Sequence, residues 1–501
     1  MDADVVISGA GPTGLMLAGE LRLAGVEVLV VEQLPEPTGQ SRSLGINPRA
    51  VELWEQRGLL ERFGEQRFVP KGHYGALPVS LDFAGLDTPF GALLTPQRRT
   101  EEFLAEWATD LGTKILRGHE LVAVREDEHE VEVDVVTAQG GRRTLRARYL
   151  AGCDGAHSTV RRLSGIGFPG TESTVDAVMA DVTGVDLRMQ LFQRGPQGLW
   201  AVFPVDRGAF RVVVYDYGRP PLRNPRPPSF EDVCEVAHRV GGLDLSGGTP
   251  HWLSRHGNTT RLADRLRQGR VLLVGDAAHV APPAGGLALT TGLGDAVNLG
   301  WKLAAEVHGW APEQLLDSYH SERHAVGERV MAHTRVQNLM MSGGPSAEAL
   351  RTVVTDLLGS AEANLGLSAE VAGTGFRYPV GGGEHALLGR RLPPCGLSTG
   401  QGATDTLKLL RPARGVLIDL VGEPALRSAA AGWADRVETV TAGYDTAQDG
   451  AGLSRISAVL VRPDGHVVWL LPEGGAEDIE GLDAALRTWF GAAGPGSDSP
   501  S

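Results

Sequence analysis

Asp4-Val5-Val6-Ile7-Ser8-Gly9-Ala10-Gly11-Pro12-Thr13-Gly14 is the stretch on which the fold is read. Asp4 to Ser8 is a short apolar run of the buried-strand kind. Gly9, Gly11 and Gly14 space a GxGxxG turn that opens a helix carrying Leu15, Ala18 and Leu21 on one face. The helix stops at Gly25, and Val26 to Val31 forms a second strand ending on Glu32. In such a unit Gly9 makes the tight turn, Gly11 lets backbone approach a pyrophosphate, and Gly14 lets helix and strand pack closely. Glu32 stands where it accepts hydrogen bonds from a ribose 2′-hydroxyl and disfavours a 2′-phosphate. The dinucleotide held there is FAD or NAD, not NADP.

A second stretch completes the first. Arg270 to Val274 reads as a buried strand, and Gly275-Asp276-Ala277-Ala278-His279-Val280-Ala281-Pro282-Pro283-Ala284-Gly285-Gly286-Leu287-Ala288-Leu289-Thr290 leads from it into a helical pattern over Gly292 to about Val307. A strand ending in Gly-Asp, a Pro/Gly loop and a helix N-terminus bring one carboxylate and a row of backbone N–H groups to one concave spot. That spot suits a polyhydroxyl chain and an electron-rich ring edge.

Between these stretches the pattern alternates. Gln40 to Arg49 is a loop whose Arg42 reaches a phosphate or ribose edge, and a helix follows over Ala50 to Gly58. His73 to Phe90 is read as a strand-rich excursion because Tyr74, Leu77, Val79, Leu81 and Phe83 recur along it. A helix follows from the Thr95-Pro96-Gln97 start to Leu111. Strands at Glu120–Arg125, Glu130–Thr137 and Arg143–Ala147 then form an antiparallel ribbon. Tyr149 to Arg161 is another strand, turn and helix, with Asp154 capping and Arg161 two turns in. From Ser173 to Arg261 the period becomes two, with strands at Leu199–Pro204 and Phe210–Tyr215 joined by an Asp206-Arg207-Gly208 turn. Trp200, Phe203, Tyr215 and Tyr217 make this sheet a wall for a flat apolar ligand. Pro312 to about Met341 is helical. A last unit begins near Gly389, with strands at Arg414–Leu420 and Asp435–Val440, a hairpin over Ala458–Trp469 and a helix over Leu482–Phe490; Gly491 to Ser501 is expected to be disordered.

Composition narrows the function. At 501 residues two or three domains are expected, and a net charge of -14 argues against nucleic acid or an anionic membrane as partner. Three scattered cysteines, Cys153, Cys234 and Cys395, have no CxxC or metal-type spacing, so no metal is expected and a reducing compartment is. With no basic leader and no membrane-length apolar run, the expected location is cytoplasmic.

With GxGxxG and Glu32 at the start, Asp154-Gly155 in the middle and Gly275-Asp276 near the end, the chain resembles the single-component FAD-dependent aromatic hydroxylases of the para-hydroxybenzoate hydroxylase type, in the Streptomyces branch that tailors angucycline and anthracycline polyketides. The resemblance implies an α/β (α+β overall) fold with a Rossmann-like FAD-binding domain (1–72, 95–172 and 262–388), a β-sheet substrate domain (73–94 and 173–261), a thioredoxin-like domain without CxxC (389–491) and a disordered tail (492–501). It implies that Gly9, Gly11, Gly14 and Glu32 hold the ADP half of FAD. Arg42 and Gln97 would contact the ribityl and phosphate region, Asp276 would bind the ribityl chain, and Asp154, Gly155 and Arg161 would support FAD and a transient NADPH. Pro283, Gly286, Leu287 and Ala288 would lie at the catalytic face of the isoalloxazine with Thr290 as a further cofactor contact, and His73, Trp200, Phe203 and Tyr215 would line the substrate. The implied reaction reduces FAD with NAD(P)H, traps O2 as a C4a-hydroperoxide and hydroxylates a polycyclic aromatic polyketide, in a monomer or homodimer.

One departure stands out. The family loop usually reads Gly-Gly-Gln-Gly-hydrophobe-Asn-Thr-Gly, whereas this chain has Gly285-Gly286-Leu287-Ala288-Leu289-Thr290-Thr291-Gly292. A Cβ added at a left-handed or contact position costs about 1 kcal/mol or more. The departure opens an alternative, a non-redox dehydratase or lyase on the same polyketide class, with His73, His256 or His279 as its acid–base group; a non-catalytic binding protein is a third reading.

Overall fold

Strands Val5–Ser8, Tyr149–Gly152 and Val271–Leu273 are buried at every residue, and Val28–Glu32 at all but its last. Strands so uniformly apolar fit a parallel sheet covered on both faces. Val5 pairs in parallel register with both Val28 and Tyr149, and Leu150 with Val271. The computed structural model describes residues 1–205, 208–221, 226–444, 452–474 and 478–494. Its first sheet runs in the order 267–268, 271–273, 149–152, 5–8, 28–32, 114–117. The carboxyl ends of its central strands therefore carry Gly9, Glu32, Cys153 and Gly275 at one edge, where ligands of open α/β sheets bind. Helices Pro12–Leu23 and Leu287–His308 pack together beside this sheet.

The ribbon forms as expected, with antiparallel strands His119–Glu126, Val131–Thr137 and Arg142–Ala147. The second large sheet is antiparallel throughout, in the order 190–195, 198–204, 210–216, 176–183, 249–256. Its alternation separates two faces. Val178, Val202, Val212 and Val214 pack under the helix Phe230–Gly241, while Met179, Leu199, Val213 and Tyr215 form the opposite face. That helix interrupts the expected run of period two. Its signal was present in Val233, Val236, Ala237 and Val240, which are all buried, and a Ser229–Asp232 capping box starts it. The Asp206–Arg207 part of the expected turn lies outside the described residues.

The excursion after His73 is mostly irregular. It pairs only at Lys71–Gly72 and Leu81–Asp82, because Tyr74, Leu77, Leu81 and Phe83 pack against Met340, Leu358 and Val371 instead of against a ladder. The covering helices, Pro345–Leu358 and Ala361–Ala372, were not expected from the sequence, and the helix ending at Met341 starts at Ser318 instead of Pro312.

In the last unit Gly415–Asp419 pairs in parallel with Val437–Tyr444 and antiparallel with Ile456–Val461, which continues through a hairpin into Val467–Pro472. Helix Ile479–Phe490 packs on this sheet through Leu482, Leu486 and Phe490. Residues 495–501 of the expected tail lie outside the described residues. Buried charges fasten this unit to the first: Arg57 pairs with Glu20 at 2.7 Å and donates to the carbonyls of Leu410 and Pro463, while Arg462 pairs with Glu322 at 2.6 Å. Among the described residues, no helix is long and apolar enough to cross a membrane and no cluster of His, Cys, Asp and Glu is arranged to hold a metal ion.

Candidate functional site

At the sheet edge the Gly9 N–H donates to the Val31 carbonyl at 2.8 Å, closing the glycine turn against the second strand. The Glu32 carboxylate accepts from the Ala10 N–H at 2.8 Å and the Leu34 N–H at 2.9 Å, so it lies against the turn itself. Pro12 stands at the first helical position, where its missing N–H leaves nothing unsatisfied. No protein atom lies within 4 Å of the point to which a Cβ on Gly11 would project. The turn thus leaves room for a ligand to approach the backbone, as a bound dinucleotide requires.

Asp276 closes the other side of this crevice. It lies in the turn Gly275–Ala277 directly after the strand, with its side chain reaching solvent on a floor otherwise walled by protein. Burial raises its pKa, against the opposing charges of His279 and Arg42; Asp295 adds to the rise. A carboxyl so placed is stabilised by a hydroxyl that donates to it. Arg42 is exposed beside it, and its backbone carbonyl accepts from Arg211 Nη1 at 3.0 Å. Arg211 is itself clamped by both oxygens of Asp181, tying the cofactor-side loop to the second sheet. Gln97 faces the same loop: its Oε1 accepts from the Ser43 N–H at 3.3 Å and its Nε2 donates to Glu101 at 2.8 Å.

A buried relay holds the Gly275–Asp276 turn. Asp295 accepts from the Gly275 N–H at 3.1 Å, and His279 at 2.7 Å and Arg323 at 2.6 Å bond the same carboxylate. Arg323 also donates to the Tyr378 hydroxyl and the Thr291 carbonyl. Burial opposes ionisation of Asp295, but Arg323 and His279 outweigh it and hold the carboxyl below its ordinary range. Burial likewise opposes the His279 imidazolium, and Asp295 outweighs it and raises the pKa. The Asp295 contribution to stability is therefore complete above the unfolded carboxylate value and is lost as pH falls through the depressed one. The His279 contribution is complete below the ordinary value of 6.5 and is lost as pH rises through the raised one. Thermal melting is expected to fall as pH rises above 6.5, and His279→Gln to flatten that alkaline limb; an unchanged limb in the variant would contradict the assignment.

Asp154 caps as expected, whereas Arg161 and the glycine loop are placed differently. The Asp154 carboxylate is taken up in capping the helix Thr159–Leu163, accepting from the Ser158 hydroxyl and from the N–H groups of Thr159 at 2.7 Å and Val160 at 3.0 Å. It is a helix cap before it is a cofactor contact, with Gly155 (φ +76°) beyond it facing open space. Arg161 lies in the first turn of that short helix, not two turns in, and joins the Ala277 carbonyl at 2.7 Å to the Ala156 carbonyl at 2.9 Å.

The glycine loop also differs. Only Gly285 and Gly286 take left-handed backbone, at φ +69° and +68°, and the helix begins at Leu287. Leu287, Ala288 and Thr290 are therefore helical residues, and none of their Cβ atoms sits on left-handed backbone. Leu287 is 4% exposed and packs on Val326, Val330, Met331 and Tyr378. Thr290 is buried, its Oγ1 accepting from the Asn47 N–H at 3.3 Å. Neither side chain is free to face a ring. Pro283 and Gly286 are exposed and Ala288 half-buried.

The substrate wall divides by strand parity. Phe203 and Tyr215 lie on the face of Met179 and Leu199, while Trp200 lies on the opposite one, against the helix Phe230–Gly241, with its Nε1 bonded to Gln190 at 3.0 Å. Trp200 is thus a scaffold residue, as its odd separation from both Phe203 and Tyr215 on paired strands requires. Phe192 was missed: its ring stands 4.8 Å from His73 and 5.9 Å from Phe203. Burial pushes His73 down to about 4, so its ring is neutral, and its Nδ1 has no partner among the described residues. Tyr215 and His256 meet at 3.3 Å, with His256 also down at about 4 through burial and the nearby Arg42.

This arrangement of an open glycine turn beside a parallel sheet and an antiparallel sheet with an aromatic face has known counterparts. Residues 2–334 match the family described as FAD binding domain, and residues 385–493 the family described as aromatic-ring hydroxylase, C-terminal. The chain is 43% identical to the 12-dehydrotetracycline 5-monooxygenase/anhydrotetracycline 6-monooxygenase of Streptomyces rimosus, covering 98% of this chain and 99% of that one. The solved structure of CabE, an aromatic hydroxylase from angucycline biosynthesis, is 42% identical with a TM-score of 0.92, covering 98% and 100% of the two chains. The Diels-Alderase PyrE3 from the pyrroindomycin pathway is 38% identical with a TM-score of 0.84, covering 98% and 99%. The chain belongs to the single-component FAD-dependent aromatic hydroxylases. It is an FAD-dependent aromatic monooxygenase.

Proposed function

We propose that this enzyme hydroxylates a polycyclic aromatic polyketide of the angucycline, anthracycline or tetracycline type, with NADPH as electron donor. The observation that carries this reading is the sheet edge with the open Gly11 turn, Glu32 and the solvent-reaching Asp276, joined through the Arg211–Arg42 bond to the sheet that carries Phe203 and Tyr215. Relatives of near-equal length acting on tetracycline precursors and in angucycline biosynthesis support the substrate class.

In this reading Gly9, Gly11, Gly14 and Glu32 hold the adenosine diphosphate half of FAD, Arg42 and Gln97 the phosphates and ribityl, and Asp276 a ribityl hydroxyl. FAD, when bound, supplies electron transfer from NADPH and the activation of O2. The chain supplies position and electrostatics. The N-terminus of Leu287–His308, opened by the bare Gly286, would offer its first-turn N–H groups to the electron-rich edge of the bound ring. His73 offers the neutral Nδ1 to a substrate hydroxyl, and the Phe192–Phe203 face orients a flat ring system and excludes water.

The proposed units are a Rossmann-like FAD domain (1–72, 95–172 and 262–388), a substrate domain (73–94 and 173–261) and a thioredoxin-like unit (389–491). The parallel order of the first sheet supports the first. The strand–helix–strand–hairpin–helix order after Gly415 supports the last. The PyrE3 likeness keeps a non-redox reaction as a second reading, although the altered loop positions carry no left-handed backbone. Aerobic NADPH consumption coupled to a product heavier by one oxygen atom tests the oxygenase. Asp276→Ala is expected to purify without flavin while melting close to the flavin-free wild type; a fully flavinated variant would remove Asp276 from the ribityl site.

A further inference from the structure

We propose that an open cleft beside the aromatic face is an outer subsite for an uncharged, hydroxyl-rich end of the substrate, read by the helix Pro345–Leu358. The inference rests on the aromatic-substrate reading above and adds what the far end of that substrate carries. The cleft has a volume of 450 Å³, within the range of small-molecule sites. One wall is apolar, built from Ala76, Leu77, Pro78 and Phe192. The other is a single polar stripe of the helix: Glu348, Arg351, Thr352, Thr355 and Asp356 recur at the three- and four-residue spacing of one helical face.

Charge decides the ligand class. The two cations that line the cleft, Arg194 and Arg351, are matched by Glu348 and Asp356, which favours neither an anion nor a cation. Both guanidinium groups are also engaged at the end of the helix Ser318–Met341. Arg351 donates to the carbonyls of Met340 at 2.9 Å and Ser342 at 3.0 Å, and Arg194 to the Tyr217 hydroxyl at 2.6 Å. They hold the two walls at their spacing. The Thr352 hydroxyl donates to the Glu348 carbonyl at 3.1 Å and is left to accept; with the Thr355 hydroxyl, the two carboxylates and the buried, unpartnered Arg194 Nη2 it faces an apolar wall, an arrangement matched to a ring with hydroxyls along one edge. Phe192 belongs to this cleft and also meets His73 and Phe203, so a polycycle seated on the aromatic face extends past Phe192 into it. The helix buries only Ala347 and Leu358, and Thr352 is exposed, so this stripe can vary without disturbing the core.

The test uses the flavin-loaded enzyme and three probes: emodin, emodin glucoside, and doxorubicinone, a tetracycle with hydroxyls on its terminal ring and no sugar. Binding is measured by titration calorimetry. Emodin glucoside or doxorubicinone is expected to bind about tenfold more tightly than emodin, the worth of two or three neutral hydrogen bonds. Whichever does so tells whether a sugar or a carbocycle carries the hydroxyls. Thr352→Trp, which lays an indole across the polar stripe, is expected to abolish that advantage and leave emodin within twofold, and Thr355→Val to reduce it a few-fold. Equal binding of all three probes, or a preference that survives Thr352→Trp, would overturn the subsite while leaving the aromatic reading intact. Failure of all three probes to bind would overturn both.

Discussion

Gly11→Val is expected to leave the flavin-free fold intact and to weaken FAD binding by about a hundredfold or more. Glycine-to-valine changes in tight turns usually damage the fold, and the prediction stands because this turn is asymmetric. A Cβ on Gly11 meets nothing within 4 Å, whereas a Cβ on Gly14 would lie 2.1 Å from the Gly9 carbonyl oxygen. Gly14 is held by the protein and Gly11 is kept open for something else. Gly14→Ala is therefore expected to lower stability by about 3 kcal/mol through overpacking, with or without flavin present. Denaturant melts of flavin-free protein and fluorimetric flavin titrations separate the two. Loss of stability in Gly11→Val equal to that in Gly14→Ala would show that the open space is filled by the fold.

Replacing Leu287, Ala288 and Thr290 by Gln, Gly and Asn, the residues usual in the family loop, is expected to cost about 3 kcal/mol or more and not to tighten flavin binding. The sequence alone suggests the reverse, since these residues depart from the usual cofactor loop of the family. In the fold the left-handed positions are Gly285 and Gly286, one residue earlier, and the helix has begun at Leu287. Leu287 fills a core with Val326, Val330 and Met331, so a Gln there loses apolar contact and buries an amide. Glycine at Ala288 adds the backbone entropy cost of a first-turn glycine. Tighter flavin binding or faster NADPH oxidation in the triple variant would restore the strained-loop reading.

The helix start could not be placed from sequence, because Gly285-Gly286 permits a left-handed step at either residue and only the packing of Leu287 selects the register. The first unit was far more legible: its strands are continuous apolar runs, and its turn is spelled by glycines with separate jobs. Trp200 marks an avoidable error. Its strand alternates with period two, so it cannot share a face with Phe203, and reading aromatic residues without parity joined them. The buried Lys302–Glu322–Arg462 cluster, with Lys302 2.6 Å from Glu322, is the opposite case. Its members come from three distant segments, and no local pattern announces that charges will be paired in a core.

The most direct test of the whole account is an anaerobic NADPH titration of the flavin-loaded enzyme, with and without an aromatic polyketide, following the flavin absorption at about 450 nm. Bleaching that the polyketide accelerates, recovery on admitting air, and a polyketide product heavier by one oxygen atom are expected. A flavin that NADPH never bleaches, while the polyketide is still transformed, would contradict the account.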